Sequence, residues 1–267
     1  MKKYFSMTLL ILLSLYLLIC LLAFTFQEKL IFFPVKLEKT YQFNFIDKFE
    51  ERTFTMPDNI KLSGVLFPSE KSKGVIFYLH GNAGSLVSWG EIASTYTKLN
   101  YDVLMLDYRG YGKSEGRIRS QKALYNDLQV VYDEIKKEYN EEKIIILGYS
   151  IGTGPAAKLA SQNHPKMLIL QAPYYSLPDV MLHSFPMLPT FILKYKFETY
   201  KYLKNCKMPV VIFHGTGDDV IYYTSSLKLK KDFKAQDTLI TLEGHGHTGM
   251  SMNREYREAL KKILGKE

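Results

Sequence analysis

Five apolar runs of strand length recur through the chain: Val75–Leu79, Val103–Leu106, Ile144–Leu147, Met167–Leu170 and Val210–Phe213. None contains a charged residue, and none alternates apolar with polar positions as a strand with one wet face would. Such runs describe strands covered on both sides. Helical stretches such as Gln121–Tyr139 separate them. Strands alternating with helices predict right-handed crossovers and helices on both faces of a parallel sheet. Upstream, Glu51–Met56 and Leu62–Phe67 flank the turn residues Pro57-Asp58-Asn59, which predicts an opening hairpin. The expected class is therefore α/β, a doubly wound and mostly parallel sheet, with chemistry in the loops at the carboxyl ends of its strands. A chain of 267 residues, 46% apolar and without repeats or low-complexity linkers, can bury such a sheet in one domain.

From Tyr4 to Phe26 no residue is charged. A helix over this stretch would be about 34 Å long, against about 30 Å of bilayer hydrocarbon. Leu21-Leu22-Ala23-Phe24-Thr25 makes a poor leader-cleavage site, and Ile19 before Cys20 does not suit a lipoprotein signal. Residues 1–27 are therefore expected to form an uncleaved single-pass signal-anchor, leaving 28–267 as the globular body. Lys2 and Lys3 precede the span, so the positive-inside rule predicts a body on the extracytoplasmic side, although Lys29, Lys36 and Lys39 follow it closely. Cys20 and Cys206 lie in unrelated settings and are not expected to pair. The net charge of +8 is spread along the chain rather than gathered into a basic stripe with interleaved aromatics, which argues against nucleic acid. It fits a solvated surface, or attraction to anionic lipid beside the anchor.

Gly148-Tyr149-Ser150-Ile151-Gly152 follows one buried strand and precedes Thr153–Ala160, a segment rich in small residues. Strand, tight turn, helix is the setting of a nucleophile elbow, in which glycines flank a strained serine because nothing larger fits. Ser150 is thus the candidate nucleophile. A serine hydroxyl needs a histidine to take its proton and a carboxylate to orient that histidine. Both are expected at later strand ends. His214-Gly-Thr-Gly-Asp218-Asp219 follows Val210–Phe213, and Glu243-Gly-His245-Gly-His247 follows Leu239–Leu242. His247 is preferred over His245 because Gly246 before it permits the tight turn that brings the ring back over the sheet. Either aspartate could serve, with Asp218 favoured. His80 and His214 are read as residues of structural turns, and His164 and His183 lie outside any strand-end cluster.

Together, HGNAG at 80–84, DYRGYGKSEG at 107–116, GYSIG at 148–152, HGTGDD at 214–219 and GHGH at 244–247 resemble the α/β-hydrolase family over residues 28–267. The anchor followed by Gln27-Glu-Lys-Leu-Ile-Phe-Phe-Pro34 is similar to the membrane-anchored branch related to eukaryotic protein depalmitoylases. The resemblance implies the α/β-hydrolase fold and assigns the acid to the aspartate four residues after the HG histidine, Asp218. Two backbone N–H groups should form the oxyanion hole. Ile151, after the nucleophile, supplies one; the resemblance implies Asn82 for the other.

Residues 173–207 are expected to form a small cap, rich in Met181, Leu182, Phe185, Met187, Leu188, Phe191 and Ile192 and broken by prolines. It either covers the sheet or lines an acyl-chain pocket. Gly110-x-Gly112 lacks the third glycine and acidic partner of a dinucleotide site, Ser114 reads as a turn residue, and no zinc-type spacing is present, so neither cofactor nor metal is expected. The predicted activity is hydrolysis of a small-molecule or lipid-like carboxylic ester or thioester through an acyl-enzyme on Ser150. A peptidase or acyltransferase could use the same triad, and a non-catalytic tethered binding module is the rival class. Substrate, acyl-chain length and oligomeric state lie beyond what these residues specify.

Overall fold

In the computed structural model, which describes residues 2–265, helix α1 (Lys2–Ile31) leads into an eight-stranded sheet. The strands are β1 (Glu50–Thr55), β2 (Lys61–Phe67), β3 (Val75–Leu79), β4 (Asp102–Leu106), β5 (Ile144–Tyr149), β6 (Met167–Gln171), β7 (Val210–Gly215) and β8 (Thr238–Leu242). Their spatial order is β1-β2-β4-β3-β5-β6-β7-β8. β1 and β2 form the expected hairpin, and β2 joins β4 antiparallel. Every other pairing is parallel. This is the α/β-hydrolase fold.

All five residues of β3 and of β4 are buried, as are all six of β5 and β7. Successive side chains feed opposite faces. Val75, Phe77 and Leu79 pack with Leu128 and Val131 of helix α2 (Gln121–Glu138) and with Ala156 and Ala160 of helix α3 (Thr153–Gln162). Ile76 and Tyr78 enter a second core with Tyr96 and with Tyr256 and Leu260 of the C-terminal helix Arg254–Leu264. This two-sided covering is why the strands read as unbroken apolar runs. Helix starts follow local chemistry: Ser120 Oγ accepts from the Ala123 N–H at 3.1 Å, and Asn253 Oδ1 from that of Tyr256 at 3.0 Å.

The chain reverses direction across the sheet between β3 and β5, so the loops after these strands open onto one crevice. Residues just past α1 run along its rim. Val35 N–H donates to Gly84 O at 3.0 Å, and Leu37 N–H donates to Gly112 O at 2.9 Å. The two cysteines remain separate thiols.

Candidate active site

Ser150 stands at the end of β5 with a left-handed φ of +50°, a conformation that costs free energy outside glycine and that throws its side chain off the strand end. The close packing at this turn explains the flanking glycines. A Cβ on Gly148 would lie 2.6 Å from Gly152 O and 2.7 Å from the Ala156 methyl; one on Gly152 would strike Leu79 O and lie 2.8 Å from His80 O. Both obstacles are largely backbone, which cannot swing away.

The hydroxyl meets an imidazole from the loop after β8. His247 Nε2 is 2.9 Å from Ser150 Oγ, and His247 Nδ1 is 2.8 Å from Asp218 Oδ2. Asp218 follows β7, and its carboxylate is saturated with donors: Oδ1 accepts from the N–H groups of Val220 at 2.9 Å and Ile221 at 2.8 Å. His214 Nε2 lies 3.3 Å from Oδ2. Burial alone would push this carboxyl upward, but donation from His214, His247 and Ile221 outweighs it and holds the group well below the usual carboxylate range. A buried anion with this many donors can orient an imidazole and stabilise its positive charge.

The sequence expectation therefore meets the geometry at three residues: Ser150, Asp218 and His247 come together in one line. Asp219 is exposed beside Asp218. His245 turns elsewhere, with Nδ1 3.4 Å from Asn253 and its buried Nε2 unpartnered. Ile151 and Asn82 both border the same cleft. The Asn82 side chain is committed away from it: Oδ1 accepts from Phe33 N–H, Ala83 N–H and the Tyr111 hydroxyl, and Nδ2 donates to Ile31 O. Only its backbone is free to face the reaction. Ser114 closes a loop, its hydroxyl donating to Asp107 O at 2.6 Å while accepting from Ser63 N–H at 2.8 Å.

Two residues have more to do than their sequence positions suggested. His214, read as a turn residue, is fully buried beneath Asp218. Its Nε2 faces both Asp218 Oδ2 and Ile221 O, the latter at 2.8 Å, and so carries the proton; its Nδ1 accepts from Ser226 Oγ at 2.7 Å. Tyr149 donates to the backbone carbonyl of His247 and so fastens the loop that carries the base. Burial raises the Tyr149 hydroxyl, which keeps its proton and remains a donor.

The cleft around Ser150 holds about 530 Å³. Its rim is apolar, from Ile92, Leu177, Val220, Met250 and Met252, and Glu91 is its one carboxylate outside the Ser-His-Asp line. Of the two readings of the cap, the lining of an acyl pocket does not hold for its exposed apolar residues. Tyr174 and Leu177 reach the cleft, whereas Leu182, Phe185, Met187 and Phe191 lie exposed on the outer surface. The reason is that helix α4 (Leu177–Ser184) starts at the cleft and leads the chain away from it toward α1.

Residues 70–205 match the family model described as serine aminopeptidase, S33. The chain is 30% identical over 205 residues to the human alpha/beta hydrolase domain-containing protein 17B, covering 74% of this chain and 69% of that protein. It is 31% identical to the 17C protein of Xenopus tropicalis, over 74% of this chain and 64% of its relative. Among solved structures it resembles an esterase of Pyrococcus furiosus, with a TM-score of 0.68 and 20% identity over 88% of this chain and 97% of the other. It also resembles Est1E of Butyrivibrio proteoclasticus with ferulic acid bound, with a TM-score of 0.64 and 19% identity over 80% of this chain and 96% of the other.

Proposed function

Since this chain belongs to the α/β-hydrolase family and is a hydrolase, we propose that it cleaves carboxylic esters or thioesters through an acyl-enzyme on Ser150 while anchored to a membrane by α1. The observation that carries this reading is the His247 ring, 2.9 Å from Ser150 Oγ on one nitrogen and 2.8 Å from Asp218 on the other. His247 Nε2 takes the hydroxyl proton as Oγ attacks the carbonyl, and Asp218 holds the imidazolium that results. The N–H groups of Ile151 and Asn82 receive the developing oxyanion. His247 returns the proton to the leaving alcohol or thiol. Water, deprotonated in turn by His247, then releases the acid and regenerates Ser150.

The apolar rim favours an acyl group over a charged amino terminus, for which the cleft offers only Glu91. The family model's own description names an aminopeptidase, so the peptidase reading is tested beside the esterase one. The full-length protein in detergent should react with a fluorophosphonate and hydrolyse p-nitrophenyl esters, both lost in Ser150→Ala. Turnover of aminoacyl-p-nitroanilides in preference to esters would replace the ester reading by the peptidase one; a folded wild type inert to all three probes would defeat both.

For α1 we read a bilayer span with the body on the extracytoplasmic side. Its support is a stretch of high mean hydropathy, 2.8, none of it buried inside the protein, and Lys2 and Lys3 before it. Proteolysis of the body in right-side-out vesicles tests the orientation, and full protection there would reverse it.

A further inference from the structure

The outer surface of the cap is apolar without a covering. From Val180 to Leu193 there is no Lys, Arg, Asp or Glu, and Leu182, Phe185, Met187 and Phe191 are 55%, 62%, 81% and 83% exposed. Where this surface sits is fixed by α1. Lys194 N–H donates to Gln27 Oε1 at 2.8 Å, Gln27 Nε2 donates to Ile192 O at 3.1 Å, and the Lys194 ammonium lies 4.7 Å above the Phe24 ring. Further back along the helix, the Tyr16 hydroxyl donates to Met187 O at 2.9 Å. From Met187 to Lys194 the cap chain therefore runs parallel to α1, from the middle of the apolar stretch back to the polar Gln27-Glu28-Lys29 boundary. From Gln27 to Tyr16 the helix rises about 16 Å, roughly half the thickness of a hydrocarbon core.

Resting on the spanning reading of α1, we propose that the cap tip, Leu182 to Phe191, is immersed in the acyl chains of the leaflet that the C-terminal half of α1 crosses. Part of the tip's backbone already suits that solvent, in which unsatisfied polar groups are costly. Pro186 and Pro189 have no N–H, and the N–H groups of Phe185 and Leu188 donate to Met181 O at 2.7 Å and Phe185 O at 2.9 Å. Met187 O is met by Tyr16. At the boundary, Lys194 pairs with Glu28 at 3.4 Å, its stem along apolar surface and its charge at the edge. Just beyond, Lys29, Lys36, Arg117 and Arg119 line a cleft at the base of α1, where lipid phosphates would lie. α4 thus joins two media: Leu177 borders the catalytic cleft and Ser184, about 11 Å along the helix, enters the lipid.

The test uses full-length protein with Cys20→Ala and Cys206→Ala, carrying one environment-sensitive fluorophore on Phe185→Cys or Phe191→Cys. Leu13→Cys in α1 and Lys71→Cys, exposed in the turn that enters β3 at the opposite end of the sheet, serve as references. Each protein, checked for p-nitrophenyl acetate turnover, is reconstituted in phosphatidylcholine–phosphatidylglycerol vesicles bearing doxyl groups on the acyl chains. Labels at 185 and 191 should be quenched by doxyl lipid as strongly as the label at 13 and be shielded from aqueous iodide, with the reverse at 71. Iodide quenching of the cap labels while the label at 13 stays lipid-quenched would overturn the proposal and leave the span intact. Cap labels dark to both quenchers would also overturn it, in favour of a second copy covering the tip. Loss of lipid quenching at 13 would bring down the spanning reading itself.

Discussion

Replacing Asp218 by asparagine puts an NH2 group into a position surrounded by donors, and the two ways of seating it differ sharply in cost. If the amide nitrogen faces Val220 and Ile221, two buried N–H groups lose their acceptor, at about 1–3 kcal/mol each. If it faces His247, the imidazole can move its proton from Nδ1 to Nε2 and accept from the amide. His214 then loses its 3.3 Å contact but keeps Ile221 O as acceptor at 2.8 Å. The second seating costs roughly one weak hydrogen bond, about 1 kcal/mol, and wins. It leaves His247 Nε2 protonated toward Ser150 Oγ, so the base cannot take the proton. We expect kcat to fall by about 10⁴, the size of effect a wrong tautomer produces in such triads. That corresponds to about 5.4 kcal/mol of transition-state stabilisation. KM should hardly change, and the Tm should drop by only about 2–4 °C. Steady-state hydrolysis of a p-nitrophenyl ester, with differential scanning fluorimetry on the same preparations, reads both. A variant retaining kcat within about tenfold of wild type would refute Asp218 as the orienting acid.

Four other outcomes follow from the same geometry. Because Asp218 is held below the ordinary carboxylate range, it stays ionised where the enzyme works and should add no proton of its own to the acid limb of log kcat/KM; a limb of slope two would contradict this. By linkage, its contribution to stability is complete above the unfolded carboxyl value of 3.8 and is lost only as pH drops through the lower folded value, so the urea midpoint difference between wild type and Asp218→Asn should be flat from about pH 5 to 8. Asn82→Asp sets a carboxylate oxygen against Ile31 O where an amide donated, and should cost about 1–3 kcal/mol in thermal denaturation while fluorophosphonate labelling persists; labelling lost at unchanged Tm would mean that the side chain takes part in the chemistry. Gly152→Ala should yield no active folded enzyme, since its Cβ meets the backbone carbonyls of Leu79 and His80, and wild-type turnover would show that the elbow is looser than it looks.

How far the chain could be understood from its residues depended on whether a feature was local. β3, β5 and β7 were legible because both faces of each are buried, which leaves an unbroken apolar run, and Ser150 because the elbow forces glycine at 148 and 152. Asp218 was favoured over Asp219 and the resemblance assigned it, but the physical reason lies in the turn, in which one carboxylate caps Val220 and Ile221 and the other is exposed. His214 does hold a turn, as read, but its contact with Asp218 was not legible for a related reason. Its partners Ser226, Ile221 and Asp218 assemble only when the loop after β7 folds back, and no spacing announces that. The role of the cap stayed open between covering the sheet and lining a pocket because composition gives the apolarity of Phe185 and Phe191 but not the direction they face.

The bonds that lace the exit of α1 to the catalytic loops bear on how this protein could be handled without its membrane. Trimming the chain after Ile31, at the visible end of the helix, would remove the carbonyl that Asn82 grips, the Gln27 amide that binds both Ile192 and Lys194, and the Phe24 face under Lys194. A soluble form should instead begin ahead of Phe24. It would then keep Phe24, Gln27 and Ile31 while losing Tyr16, and would need polar replacements at Phe185, Met187 and Phe191 to stay monodisperse in water.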